Sequence, residues 1–432
     1  MNSDIQIFSE FENPALTYTL DFVFEEVLGL RYQLTLQSDS LDFGLPLVNY
    51  SNLDLNGLQI QPSNYLRTES FFETPNSTDK SWYGLPVIFE SKGHIPFDVF
   101  SAIFFLLSRA EEYNSPATDQ HGRFLAENSW AFRNKVLERP IIDEWIEAFK
   151  KDLKEKIGDF PFKKHSYQWI NTYDIDVAYA HLYRPLKRAL GGAFKSGLAG
   201  DLESVQKRLK VLAGKEKDPF DTYDYQQDIT YNNSSKNIYF ILSGGNSSYD
   251  NALALHHPGM IELIERLKER SEIGIHPSYD SINQIEILRK EITQLKDVLG
   301  GKIVSSRQHF LRLQLPDTYR NLISNKIEND FSMGFPHHIG FRSGTSRVHK
   351  FFDLKANQAT SLKLYPLQIM DGTLIDYMKL KPEEAIEKVS GIVERTKSVN
   401  GVLVTLWHNH ILEEGSAWRR VYEKLSEMAR LK

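Results

Sequence analysis

The chain has 432 residues, 41% hydrophobic and 25% charged, a composition ordinary for a globular protein and a length that calls for two domains rather than one core. Its net charge of −6 argues against a general nucleic-acid binder, and the absence of cysteine excludes disulfides and thiolate metal sites, so any metal must sit on His, Asp or Glu. The opening M-N-S-D-I-Q-I-F-S-E-F-E is acidic and lacks the apolar centre of a secretory signal. The most apolar stretch, Val99–Leu107, is too short to cross a bilayer, so a cytoplasmic protein without a transmembrane segment is expected. The 20 Tyr, 26 Phe and 6 Trp suit a large core and a sugar-binding cleft alike.

Residues 1–158 mix short strand-like runs (Tyr18–Phe22, Tyr32–Leu36, Leu85–Phe89) with Gly, Asn and Pro turns. A strongly apolar helix is predicted from Pro96 and an amphipathic one over Ile141–Ile157. The basic, Pro-containing segment Gly158–His165 is the expected domain boundary. From residue 166 onward strands alternate with helices. Strands are expected at Tyr167–Tyr173, Asn237–Leu242, Glu272–Ile275, Lys302–Ser305 and Val402–Trp407. The intervening helices are Gly259–Arg270, Ile282–Leu299, Pro316–Asn325 and Pro382–Val399, with Ser416–Lys432 last. Such alternation means a parallel sheet, either a barrel or a doubly wound sheet. An insertion at 184–235 leaves the first strand and would form either a cap over the mouth or a packing excursion.

In a barrel, chemistry gathers where strands end, and this rule selects the polar residues. The first strand ends in N-T-Y-D-I-D, where Asp174 and Asp176 share one face; a metal site, a paired base and a pair of turn-capping aspartates all fit. The third ends in I-G-I-H-P-S-Y-D, where His276 can ligate a divalent ion and Asp280 can reach the same centre from the loop. The fourth ends in S-S-R-Q-H, with Arg307 and His309 on a common face; such an arginine can fix a carboxylate or join an ordinary ion pair. Within H-H-I-G-F-R-S-G-T-S-R, Arg342 suits anion or sugar-hydroxyl contacts, or else a bulged turn. The last strand ends in T-L-W-H-N-H, offering His408 as a general acid, with His410 two residues on.

Taken in order, these residues resemble the polysaccharide deacetylase superfamily (carbohydrate esterase family 4, the chitooligosaccharide deacetylase homology domain). Its motifs are T-F-D-D, H-[S/T]-x-x-x-H, R-x-P and L-x-H. The resemblance covers about residues 166–412. It implies an α/β fold, a distorted (β/α) barrel over residues 166–432, preceded by a smaller α/β accessory domain. It also implies removal of an N-acetyl group from an amino sugar or sugar conjugate, with a divalent metal, Zn²⁺ first and Mn²⁺ or Co²⁺ as alternatives. Carried over, Asp174 is the base and Asp176 a metal ligand, roles open to exchange because the family's aspartates are adjacent. His276 is the first metal histidine, Arg307 orients the base and His408 is the acid. Asp280 stands where the second metal histidine belongs, and His309 replaces the proline and could supply a nitrogen. Tyr279, through a backbone N–H, Arg342 and His410 are the expected substrate contacts. The partner is a carbohydrate, nucleotide- or lipid-linked in a cytoplasmic setting. Alternatives are a metal-independent allantoinase-like amidohydrolase and a non-catalytic carbohydrate-binding pseudoenzyme.

Overall fold

The computed structural model describes residues 4–183 and 202–430, apart from residues 70, 73, 74, 76, 77, 114–116, 232, 234, 235 and 246. Its first core gathers apolar side chains from Ile5 to Leu153. There β1 (Ile5–Ser9), β2 (Tyr32–Thr35), β3 (Leu47–Tyr50) and β4 (Leu58–Gln59) form a parallel sheet in the order β2-β1-β3-β4, and β5 (Ser81–Trp82) pairs with β6 (Leu85–Pro86). All nine residues of the helix Val99–Leu107 are buried. A helix apolar all round can only sit inside a core. It starts at Asp98, whose carboxylate caps the amide of Ser101 and accepts from the hydroxyls of Tyr50 and Ser63. The helix Ile141–Ile157 forms as the periodicity predicts. The expected strand Tyr18–Phe22 does not form: Asn13 caps a helix at Pro14 that runs into a π-helical stretch at Asp21–Leu28. Proline at the first helical position and a capping Asn outweigh a short β-like run.

A second sheet has the order β12-β13-β11-β10-β9-β8-β7-β15-β14. Its members are β7 (Gln168–Ile175), β8 (Lys236–Leu242), β9 (Glu272–His276), β10 (Ser305–Ser306), β11 (Asn329–Asp330), β12 (His349–Asp353), β13 (Gln358–Leu364), β14 (Ile369–Met370) and β15 (Val402–His408). Every pairing is parallel except β12 with β13. The near-continuous apolar runs, such as I-Y-F-I-L in β8, are what a sheet covered on both faces demands. Gly274 in β9 is required by close approach, since a Cβ there would lie 2.6 Å from the Phe240 ring and 2.9 Å from the carbonyl of Ser305.

The architecture is mixed α/β with parallel sheets, and the strand ladder is not a closed ring: β12 and β14 are its two ends. The sheet nevertheless curls. Leu367 N donates to Met333 O beyond β11 at 2.9 Å, and Gln368 N donates to Val404 O in β15 at 3.2 Å, so one short segment touches both flanks. Ile170, Ile238, Phe240, Phe331, Leu367, Val404 and Leu406 pack together on the inner face, separate from the larger core under the helices. The strands β11 and β14 escape the sequence pattern because each spans only two residues, and β13 because Q-A-T-S-L-K-L leaves most of its side chains outside the core.

Of the insertion, residues 184–201 lie outside the described residues. Its later part is a packing excursion. Asp218 accepts backbone N–H groups from Ala180, His181 and Leu182, and Tyr223 donates to the carbonyl of Ala178 at 2.7 Å. No helix among the described residues is long and apolar enough to cross a membrane.

Candidate functional site

Register brings the polar strand ends together. In the β7–β15 pair, Asp174 lies directly opposite His408, and in the β8–β9 pair Leu242 lies opposite His276. Residues 170, 172, 174 and 176 alternate onto one face by the two-residue period, and Ile170 places that face inward. Asp174 is buried and receives the Arg307 Nη1 on Oδ1 at 3.0 Å. Arg307 is itself fully buried, anchored by Nε to the carbonyl of Phe331 at 3.1 Å and sandwiched against the rings of Phe240 and Phe331.

Three imidazoles surround Asp176. His276 Nε2 is 3.3 Å from its Oδ1, and His309 Nε2 and His408 Nε2 are 3.7 and 3.6 Å from its Oδ2. Each ring is held from its far nitrogen. His276 Nδ1 meets the carbonyl of Arg307 at 2.6 Å, His309 Nδ1 meets Asp250 Oδ1 at 3.0 Å, and His408 Nδ1 meets Asp371 Oδ1 at 2.8 Å. A carbonyl can only accept, so Nδ1 of His276 carries a proton, and in the neutral ring Nε2 presents its lone pair to the carboxylate. Asp176 Oδ1 is buried and has no hydrogen-bond donor. With that ring neutral, two acceptors face each other at 3.3 Å, a gap that a cation would fill. One ligand atom each from Asp176, His276 and His309 lies within 4.8 Å of the others.

The electrostatics follow from these pairs. Burial works against charge on His309, but the Asp176 and Asp250 carboxylates prevail and hold its pKa up to about 9. Burial likewise opposes His408, and Asp371, then Asp176 and Asp174, raise it to about 10. Burial would raise the Asp176 carboxyl, yet His309 and His276 hold it well below the usual range.

The cleft over these groups has a volume of about 130 Å³. Asp174, Asp176, His276, His309 and His408 line it, together with apolar Leu311, Met370 and Leu406. Phe310 and Leu311 both adopt left-handed backbone, with φ of 60° and 53°.

Several expectations change. Asp280 is exposed on the loop after β9 and joins no metal cluster among the described residues; in the 3₁₀ turn Tyr279–Asn283 its side chain points to solvent, and His309 fills the place it was expected to take. Tyr279 offers no free amide, because its N–H is donated to Asp250 Oδ1 at 3.1 Å, and its ring stacks on Tyr249 outside the cleft. Arg342 is a buried tie between the two cores: Nε and Nη2 hold Glu112 at 2.9 and 2.5 Å, and Nη1 donates to the carbonyl of Gly334. Its loop passes so close to Leu137 that a Cβ on Gly340 would sit 2.4 Å from that carbonyl, at a φ of +132°. His410 packs between His408 and Phe220 and does not line the cleft. Asp250 and Asp371 do not stand out in the sequence: Asp250 lies in the long loop after β8, and Asp371 follows a strand of two residues.

Residues 5–158 match a family of unknown function, DUF7033. No curated protein matches the chain. Solved structures do. A putative polysaccharide deacetylase from Mycobacterium smegmatis shares 15% identity over 63% of this chain and 86% of its own, with a TM-score of 0.40. A probable polysaccharide deacetylase from Pseudomonas aeruginosa PAO1 shares 10% identity over 61% of this chain and 84% of its own, also at 0.40. A carbohydrate esterase family 4 pseudoenzyme from Bacillus anthracis shares 10% identity over 64% and 67%, at 0.30.

Proposed function

We propose that the protein is a metal-dependent hydrolase that removes the acetyl group from an N-acetylated amino sugar or sugar conjugate. The observation that carries this reading is the buried Asp176 Oδ1, without a hydrogen-bond partner, facing His276 Nε2 at 3.3 Å, with His309 Nε2 beside them. Asp176, His276 and His309 would hold the ion; a carboxylate and two imidazoles suit Zn²⁺, and also Mn²⁺ or Co²⁺. The far-side bonds from Asp250 and from the Arg307 carbonyl fix both rings as ligands.

A bound divalent ion supplies polarisation of the acyl carbonyl and a more acidic water. Asp174, aligned by the buried Arg307, would accept the proton of the attacking water as the water oxygen adds to the acyl carbon. His408, kept protonated by Asp371, gives its Nε2 proton to the amine as the C–N bond breaks. Acetate and a free amino sugar result. Leu311, Met370 and Leu406 give the acetyl methyl an apolar wall. In this reading the curled sheet acts as a distorted barrel with its chemistry at the C-terminal mouth.

The test is elemental analysis of wild-type and His276→Ala protein after dialysis against Zn²⁺, alongside acetate release from N-acetylated sugars. About one ion per chain, lost in the variant, with acetate released by the wild type, is expected. No metal in either protein would sink the site and favour a metal-independent amidohydrolase; metal without turnover would favour a binding-only protein.

A further inference from the structure

One side chain lining the cleft comes from the first core rather than the second: Arg123. It sits in a turn closed by its own local hydrogen bonds. Thr118 bridges Phe124, and Asp119 Oδ1 accepts the amides of His121 and Arg123 at 2.8 and 3.0 Å. The Arg123 side chain is only 3% exposed. Its Nε donates to Asp119 Oδ2 at 2.7 Å, Nη1 to the carbonyl of Phe310 at 2.9 Å, and Nη2 to the hydroxyl of Tyr377 at 3.0 Å. The second core answers with Arg312, whose Nε donates to the carbonyl of His121 at 3.0 Å. The His121 ring lies 4.8 Å from that of Phe310, and its Nδ1 is 3.0 Å from the Tyr279 hydroxyl.

The residues gripped this way follow His309 directly. Left-handed backbone is costly for any side chain bearing a Cβ, and two in succession persist only where the surroundings impose them. Phe310 and Leu311 are such a pair. Arg123 supplies the restraint on the Phe310 carbonyl, and the turn it restrains aims the His309 ring. Docking the two cores does not explain this arginine. That is done elsewhere, by Arg342 on Glu112 and by Arg347 on Asp143 at 2.7 Å.

We propose that Arg123 is a positioning residue: the Asp119–Arg123 turn holds His309–Phe310–Leu311 in the shape that brings His309 Nε2 to Asp176, so metal affinity at the cleft depends on residues 5–158. The inference rests on the metal-site reading above. It gives the family of unknown function a role here, as one wall and brace of the cleft.

The experiment uses the full chain as wild type, Arg123→Met and Asp119→Asn. Zn²⁺ affinity is measured by competition with a chromophoric chelator, and the ligand field by the Co²⁺ absorption spectrum, below the melting temperature of each chelated protein. Arg123→Met is expected to bind Zn²⁺ about 10–100-fold more weakly with an altered Co²⁺ spectrum, and Asp119→Asn to move the same way by less. A purely structural arginine would lower the melting temperature and leave affinity and spectrum alone. Wild-type affinity and spectrum in both variants would overturn the proposal; if Arg123→Met does not fold, Asp119→Asn decides by itself. Failure of the wild type to take up Zn²⁺ would overturn the metal-site reading and this inference together.

Discussion

Replacing Asp371 with Asn isolates the group that keeps His408 protonated, as the proposed role of general acid requires. The Asp371 carboxylate is wholly buried, accepts from His408 Nδ1 at 2.8 Å and from the His408 backbone N–H at 2.6 Å. His408 rises from 6.5 to about 10 against the effect of its own burial. That displacement is on the order of 5 kcal/mol in favour of the imidazolium, shared among Asp371, Asp176 and Asp174 with Asp371 first. Asn keeps the shape and one acceptor oxygen but not the charge. A charge-assisted hydrogen bond contributes about 1.5–3 kcal/mol and a neutral one about 0.5–1.5, so the loss is about 1–2 kcal/mol, or about one pH unit, before the lost long-range attraction is added. The assay is an imidazole ¹⁵N titration of chelator-treated wild-type and Asp371→Asn protein, with the pH profile of kcat/KM on an N-acetylated sugar beside it. His408 should titrate at lower pH in the variant, by about 1–2 units, and the alkaline limb of activity should move down with it. An unmoved His408 titration would refute the assignment of Asp371 as the group that keeps the acid protonated.

Asp250→Asn should weaken Zn²⁺ binding about 10–100-fold, because it loosens the hold on the far nitrogen of His309, the proposed ligand; the chelator competition assay reads this. Metal-free protein should lose stability as pH rises. His309 is raised from 6.5 to about 9 in the folded state, so its contribution is present in full below pH 6.5 and disappears as pH climbs through about 9. Urea unfolding of chelated protein at about pH 6 and about pH 9 should show a loss that His309→Gln diminishes by on the order of 3 kcal/mol; a difference of the same size in the variant would refute it. Arg342→Ala should cost about 3 kcal/mol of stability by leaving buried Glu112 half-paired, with kcat/KM of the folded fraction unchanged. A raised KM at wild-type stability would restore Arg342 as a substrate contact.

Much of the second half was legible because a parallel sheet writes itself plainly. Its strands are continuous apolar runs, its helices amphipathic, and the residues at strand ends stand where loops begin. Asp174, Asp176, His276, Arg307, His309 and His408 could all be picked out by that rule and the two-residue period. Asp280, Arg342 and Tyr279 took other places for one physical reason, that loops carry no period. Asp280 lies four residues after His276 in the chain, yet a 3₁₀ turn sends it to solvent. Arg342 has the look of an anion contact in a Gly-rich loop, but the loop faces a second core holding Glu112. The Tyr279 amide was free only until the β8 loop delivered Asp250 to it.

Residue type and local spacing were enough to pick out the polar residues at the strand ends and to exclude thiolate ligands. It took the packed chain to settle which nitrogen of each histidine faces Asp176, that His309 rather than Asp280 stands beside His276, and that Arg123 reaches the cleft from nearly two hundred residues upstream of Phe310. Those are matters of register, loop path and docking, in which groups far apart in the chain satisfy one another's hydrogen bonds and charges, and no local pattern encodes which partner will arrive.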